Sequence, residues 1–190
     1  HRVLFATNHS APTKHQLVEK LRRCGVPCEA QDLMTSADAA AGLVAPGERA
    51  YAFAGAGVRE ALEARRVRLV DHHRADVVVV GWHEDLSLRG LTLAVRAVLA
   101  GARLIATNQD RLRPGEDGPV PGAGAFVAAV EAATGVYAQY AGKPNEPMAA
   151  LISRQIVGSD VVVVGDSSAT DGGLAVALQA RFVLVRTGNA

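Results

Sequence analysis

The sequence predicts an α/β fold built from mostly parallel strands, and three observations carry the prediction. Short β-branched runs recur along the 190 residues. Segments of helical period separate most of these runs, and parallel neighbours need a crossover connection that a helix usually supplies. The runs also lack in-out alternation, which suits sheets covered on both faces.

The strand candidates, in order, are Val3 to Ala6, Ala50 to Ala54, Val67 to Val70, Asp76 to Val80, Arg103 to Ala106, Val136 to Tyr140, Val161 to Val164 and Phe182 to Val185, each bounded by Gly or polar residues. Between them lie helix signals. Pro12 leads the chain into a helix after the first strand. Thr35, with Asp38 three residues on, opens a second helix through Leu43. Ser87 caps a third, whose apolar face is Leu88, Leu91, Val95, Val98 and Leu99 and whose end is marked by Gly101. A fourth runs from about Pro147 to Ile156. Between Asn108 and Gly124, three Pro and four Gly interrupt the periodicity, so this stretch reads as a long loop, usually functional or mobile.

Composition narrows the possibilities. With 49% hydrophobic and 21% charged residues the chain can bury a real core, as one ordinary domain or two small ones. A formal charge of +1 provides no overall field for nucleic acid or an anionic membrane. The longest apolar runs, such as Val161 to Val164, fall far short of the roughly 20 residues of a membrane span. Cys24 and Cys28 have no second Cys or His pair nearby to complete a zinc site, and read as ordinary thiols in a reducing cytosol. His1-Arg2 leads straight into an apolar run and the chain stops just after another, so both ends read as cuts inside a larger fold.

In open α/β sheets ligands bind beyond the carboxyl ends of the strands, and three polar clusters fall there or close by. Asp166 and Asp171 lie five residues apart across a turn of small hydroxyl residues. Such carboxylates suit magnesium, or else Asp166 caps a turn and Asp171 the following helix. Lys143, between Gly142 and Pro144, sits at the start of a helix, where it would hold a phosphate oxygen or a carboxylate, or be an ordinary surface lysine. Thr7 and Asn8, ahead of Pro12, offer a hydroxyl, an amide and backbone N–H groups at a helix start, the setting for a phosphate or for a simple capping loop. His72 and His73, adjacent, have poor geometry for one ion and read as a surface turn. Gly55-Ala56-Gly57 lacks the third glycine and later acidic partner of a dinucleotide site, which argues against a Rossmann oxidoreductase.

Taken in order, Thr7-Asn8, Gly142-Lys143-Pro144 and Gly165-Asp166-x3-Thr170-Asp171 resemble the second, third and fourth motifs of haloacid dehalogenase (HAD) phosphatases. Thr35-Ser36-Ala37, Val80-Gly81, the run Gly101 to Asp110, Pro121 to Gly124 and Ala133-Thr134-Gly135 resemble the branch of NagD, p-nitrophenylphosphatase-like and phosphoglycolate or glycerol phosphate phosphatases. The resemblance covers essentially the whole chain.

It implies a Rossmann-like core over residues 1–46 and 142–190, with an α/β cap inserted at 47–141, hinged near Ala45-Pro46-Gly47 and Ala141-Gly142. It implies a Mg2+-dependent phosphatase acting on a small phosphorylated metabolite through an aspartyl phosphate, the second aspartate of an Asp-x-Asp-Gly motif serving as acid and base. Thr7 and the Asn8 backbone would bind the phosphoryl group, with His9 beside them where many relatives have Asn. Lys143 would steady nucleophile and phosphate, and Asp166 with Asp171 would hold the metal. Asp110, Arg111 and Arg113 would face the substrate from the cap. A cytoplasmic location and homodimer pairing through the cap are further implications. One departure stands out: no Asp-x-Asp-Gly occurs in the 190 residues. The nucleophile is therefore expected upstream of His1, and the alternative is a non-catalytic ligand-binding domain that has lost it.

Overall fold

A computed structural model describes residues 2–158 and 160–186. Its elements alternate as predicted: β1 (Phe5–Thr7), α1 (Lys14–Arg23), β2 (Leu33–Thr35), α2 (Ser36–Ala41), β3 (Arg49–Phe53), α3 (Ala56–Ala64), β4 (Arg68–Leu69), β5 (Val77–Val80), α4 (Leu88–Leu99), β6 (Arg103–Ala106), β7 (Leu112–Gly115), β8 (Gly118–Pro121), α5 (Ala123–Thr134), β9 (Gln139–Tyr140), α6 (Glu146–Ser153), β10 (Val162–Gly165), α7 (Gly173–Ala177) and β11 (Arg181–Leu184). A 3-10 turn, Ala30–Asp32, precedes β2, and a π-helical turn, Ser168–Gly172, precedes α7.

The centre is a five-stranded parallel sheet of order β4-β3-β5-β6-β9. Its two faces follow from the period-2 geometry of a strand. Ala50, Ala52, Val77, Val79 and Ile105 point one way, into a cluster with Ala40 and Ala41 of α2, Val58 and Leu62 of α3, and Met148 and Ile152 of α6. Tyr51, Phe53, Val78, Val80 and Leu104 point the other way, against Ala94 and Val98 of α4 and Phe126, Val127 and Val130 of α5. Val77 to Val80 are all 0% exposed, so an uninterrupted run of four valines is what a strand covered on both faces requires. Each such side chain contributes about 1.5–3 kcal/mol by leaving water.

Two smaller parallel sheets flank this one in sequence: β1 with β2, and β10 with β11. Among the described residues, β1 and β10 have no strand partner on their second edges. Those edges border a cleft of about 350 Å3, lined by Leu4, Ala6 and Val161 to Val164. No helix among the described residues is long and apolar enough to cross a membrane.

Several elements differ from the sequence-based expectation. The stretch Asn108 to Gly124 is not a structureless loop, because it holds the antiparallel hairpin β7–β8 with a tight turn at Glu116-Asp117. β2 is an unanticipated strand, and α6 stops at Ser153, short of Ile156. Cys28 is buried and Cys24 exposed, both as free thiols. His72 and His73 are exposed in the bend before β5.

Candidate active site

The carboxyl ends of β1, β5, β6, β9 and β10 lead into loops that share one open cavity of about 630 Å3. Sequence positions far apart meet in it. Thr7 ends β1 and Asn8 and His9 follow it, Asp110 follows β6, Lys143 follows β9, and Asp166 with Asp171 follows β10.

The polar frame is organised around Asn8. Its carboxamide oxygen accepts the Lys143 backbone N–H at 2.8 Å, while its Nδ2 donates to the Lys143 carbonyl at 3.1 Å and to Asp110 Oδ2 at 3.3 Å. One side chain therefore fastens three strand ends together, using its acceptor and both amide hydrogens. The Asn8 carbonyl accepts from Ser36 Oγ and Asn108 Nδ2, each at 2.8 Å. Glycine is required at position 142, since a Cβ there would lie 2.5 Å from Asn8 Oδ1 and from the Thr107 carbonyl. The Lys143–Pro144 peptide is cis.

Lys143 reaches back beneath β1. Its Nζ donates to the Ala6 carbonyl at 2.9 Å and to Asp171 Oδ1 at 2.7 Å, and the two side chains are only 13% and 9% exposed. Lys143 lies three residues ahead of α6 rather than on it, and its ammonium is a buried, paired cation instead of a surface charge. Asp171 is not the cap of the following helix. Ser167 caps the π-helical turn, its hydroxyl accepting from Thr170 N, while Asp171 sits inside that turn and its Oδ2 accepts the Ser167 N–H at 3.2 Å. Gly165 makes room for it, because a Cβ there would overlap the Asp171 carboxylate.

At the rim, Thr7 Oγ1 accepts the His9 N–H at 3.0 Å. Burial, with the positive charges of Arg113 and Lys20 nearby, pulls the His9 imidazole below its usual range and favours the neutral ring. Burial pushes the Asp110 carboxyl up, against the lowering effects of the Asn8 hydrogen bond and Lys143. Arg113 lines the cavity, whereas Arg111, exposed just before β7, is not brought to its wall.

Sequence reasoning gave no role to Ser10, Thr107, Asn108 or Trp82. Ser10 Oγ donates to Thr107 Oγ1 at 3.1 Å, both residues being at most 1% exposed. A signal for two of them was present: Thr107-Asn108 stands at the carboxyl end of β6 as Thr7-Asn8 stands at that of β1. The same dipeptide ends two strands that meet at one site.

For a metal, the acidic donors on the wall are Asp110, Asp166 and Asp171, with Asp110 already bonded to Asn8. Among the described residues no group of three or more His, Cys, Asp or Glu side chains gathers to form a cage. Both Asp171 oxygens are already engaged, by Lys143 and Ser167. The set fits a hard cation that takes one or two carboxylates and keeps waters and phosphate for the rest of its shell, as magnesium does. It does not fit a zinc cage.

Residues 1–68 match the haloacid dehalogenase-like hydrolase family, and residues 140–190 match a HAD-hydrolase-like family. The chain is 36% identical over 174 residues to an acid sugar phosphatase of Staphylococcus aureus, covering 88% of this chain and 67% of that protein. The chain belongs to the haloacid dehalogenase-like hydrolases. Among solved HAD structures it superposes on a glycerol phosphate phosphatase of Mycobacterium tuberculosis in complex with calcium, with a TM-score of 0.94 and 32% identity. That match covers 100% of this chain and 58% of the other, so the chain spans less than two thirds of that relative. A p-nitrophenyl phosphatase of Archaeoglobus fulgidus matches with a TM-score of 0.88 and 34% identity, covering 98% of this chain and 74% of that one. The M. tuberculosis enzyme also has a structure in complex with magnesium. These HAD relatives are phosphatases, and the parallel α/β architecture is common to them.

Proposed function

We propose that this chain forms most of a magnesium-dependent phosphatase that hydrolyses small phosphate monoesters such as sugar phosphates, glycerol phosphate, phosphoglycolate or nucleotides. The observation that carries the reading is the buried Lys143–Asp171 pair, set at the strand ends beside Thr7 and Asp166 on one cavity wall. A cation and carboxylates held at one spot by a hydrogen-bonded frame suit an incoming phosphoryl group.

In this reading Thr7 and the Asn8 backbone hold phosphoryl oxygens, and the Asn8 side chain locks the Lys143 loop in position. Lys143 keeps its ammonium fixed between the Ala6 carbonyl and Asp171, where it also meets the attacking carboxylate. Asp166 and Asp171 would hold the cation. Magnesium supplies charge neutralisation between an anionic nucleophile and an anionic ester.

The nucleophilic aspartate is assigned to a segment upstream of His1, as no Asp-x-Asp-Gly occurs in the chain. The cleft between β1 and β10 supports that assignment, because it is bordered by two strand edges and lined in part by apolar side chains such as Leu4, Ile152 and Leu174. A strand placed there would end beside Lys143 and Asp171. The division into a core of 1–46 and 142–190 and a cap of 47–141 belongs to the same proposal. All five strands of the central sheet fall inside the cap bounds, although α2 and α6 pack on one face of that sheet.

The full-length product of the gene should release phosphate from p-nitrophenyl phosphate only with Mg2+, and Asp166→Asn should lower that turnover at least about a hundredfold. Unchanged turnover in the variant would remove Asp166 from the metal site. A full-length protein that binds inorganic phosphate without turning over any ester would instead support the non-catalytic reading.

A further inference from the structure

We propose that Arg113, held against Trp82, is the specificity-determining cation of the cavity and selects phosphate monoesters whose alcohol carries a second anionic group. The inference rests on the phosphatase reading and names its substrate class. It starts from the three cations that line the cavity, Lys143, Arg113 and Lys20, of which Lys20 is an exposed side chain on α1 and Arg113 is the one held against an aromatic ring. Lys143 is already neutralised by Asp171 at 2.7 Å. Arg113 has no carboxylate partner among the described residues, although several other arginines do, Arg49 with Asp76 and Arg103 with Glu48 among them. Its guanidinium lies instead over the Trp82 ring, with Cζ 3.9 Å from the centroid. Stacking occupies one face of the guanidinium and leaves its in-plane N–H donors available, the fork that matches a carboxylate or phosphate with two parallel hydrogen bonds.

The stacking is built in. Trp82 follows β5, the fully buried strand of the sheet, and its Nε1 donates to the Pro121 carbonyl of β8 at 3.1 Å. It therefore holds one hairpin strand by a hydrogen bond and the other through Arg113. At its base the hairpin is closed by Gly122 N–H to the Arg111 carbonyl at 2.8 Å and Gly124 N–H to the Asp110 carbonyl at 2.9 Å. Trp82, Arg113 and Lys143 all line the same cavity, whose roughly 630 Å3 exceeds what a phosphate needs and leaves room for its alcohol. The charge of Arg113 is felt inside the cavity, where it helps keep His9 neutral. A phosphoryl group at Lys143 thus leaves the remainder of the ester to meet an uncompensated guanidinium.

The test uses the full-length gene product and three esters of similar size: 2-phosphoglycolate, ethylene glycol bisphosphate and 2-hydroxyethyl phosphate. The first two carry a carboxylate or a second phosphate, and the third is neutral at that end. In Arg113→Met, the ratio of kcat/KM for each anionic ester over the neutral one should fall about 10–100-fold, the worth of hydrogen bonds to a charged group. The loss should lie mainly in KM. A fall for only one anionic ester identifies which group is read. Trp82→Leu should lower the same ratios less, and Trp82→Phe should restore them, which loss of a merely structural tryptophan would not do. Ratios that stay unchanged in Arg113→Met, or a uniform fall for all three esters, overturn the proposal. If the wild-type protein turns over none of the esters, the phosphatase reading fails separately. The same affinity ratios, measured by calorimetry on wild type and Arg113→Met, then decide whether Arg113 selects anions.

Discussion

At the scale of single residues, the Lys143–Asp171 pair sets the site apart from an ordinary strand end. Two opposite charges taken largely out of water are each costly to bury, and their attraction offsets that cost only when geometry is good and the remaining polar atoms are satisfied. Here they are: the ammonium also donates to Ala6, and the second carboxylate oxygen accepts from Ser167. Removing one partner leaves the other charge buried and alone. Lys143→Met should therefore destabilise the protein by about 3–5 kcal/mol. Lys143→Met combined with Asp171→Leu should recover most of that loss, because no charge is then stranded. Urea titrations of the wild type, the two single variants and the double variant measure the coupling. Additive losses would show that the pair is not energetically coupled. The sequence offered both residues through short motifs, but only the fold reveals that they are 2.7 Å apart. No pattern along the chain specifies that Asn8 would spend its whole side chain on the Lys143 loop and Asp110.

At the scale of elements, legibility tracked how strongly local chemistry dictated conformation. Val77 to Val80 and Arg103 to Ala106 form strands because runs of apolar, largely branched residues between turn signals have few other uses. Ser87 caps α4 as its sequence predicts, its hydroxyl accepting from Gly90 N. β2 escaped because it has only three residues, two of which, Leu and Met, are not branched at Cβ, and it owes its strand form to pairing with β1. The β7–β8 hairpin escaped because Pro114, Pro119 and Pro121 read as strand breakers. In a two-stranded ribbon both strands are edges, where a missing N–H can be tolerated. The capping box of α2 was legible and is testable. Thr35 Oγ1 accepts from Asp38 N at 3.1 Å, and Asp38 Oδ2 accepts from Thr35 N at 3.0 Å. A helix of six residues cannot sustain itself, so its end groups matter. Thr35→Ala should cost about 1–2 kcal/mol in chemical denaturation, and Thr35→Ser should cost less because it keeps the accepting oxygen. Equal losses in the two variants would assign the effect to packing of the Thr35 methyl group.

For the whole molecule, the central sheet is buried on both faces, whereas the two flanking sheets face each other across a cleft between β1 and β10. Val162 and Val164 of β10 remain 42% and 62% exposed, and Val183 and Leu184 of β11 remain 48% and 41% exposed. Strand edges with unpaired N–H and C=O groups beside such side chains are templates for pairing with another chain. The proposed upstream strand would cover both edges, and burying three or four apolar side chains at about 1.5–3 kcal/mol each would stabilise the full-length protein substantially. At about 2–4 °C per kcal/mol for a chain of this size, the 190-residue chain should melt at least about 10 °C below the full-length product. It should also self-associate as its concentration rises. Differential scanning calorimetry of both proteins, with light scattering over a concentration series, checks both effects. A 190-residue chain that remains monomeric and melts cooperatively at the full-length temperature would show that the cleft needs no strand. The nucleophile would then have to be sought among the residues already lining the cavity, with Asp110 the first to replace, since its carboxyl group faces the same space.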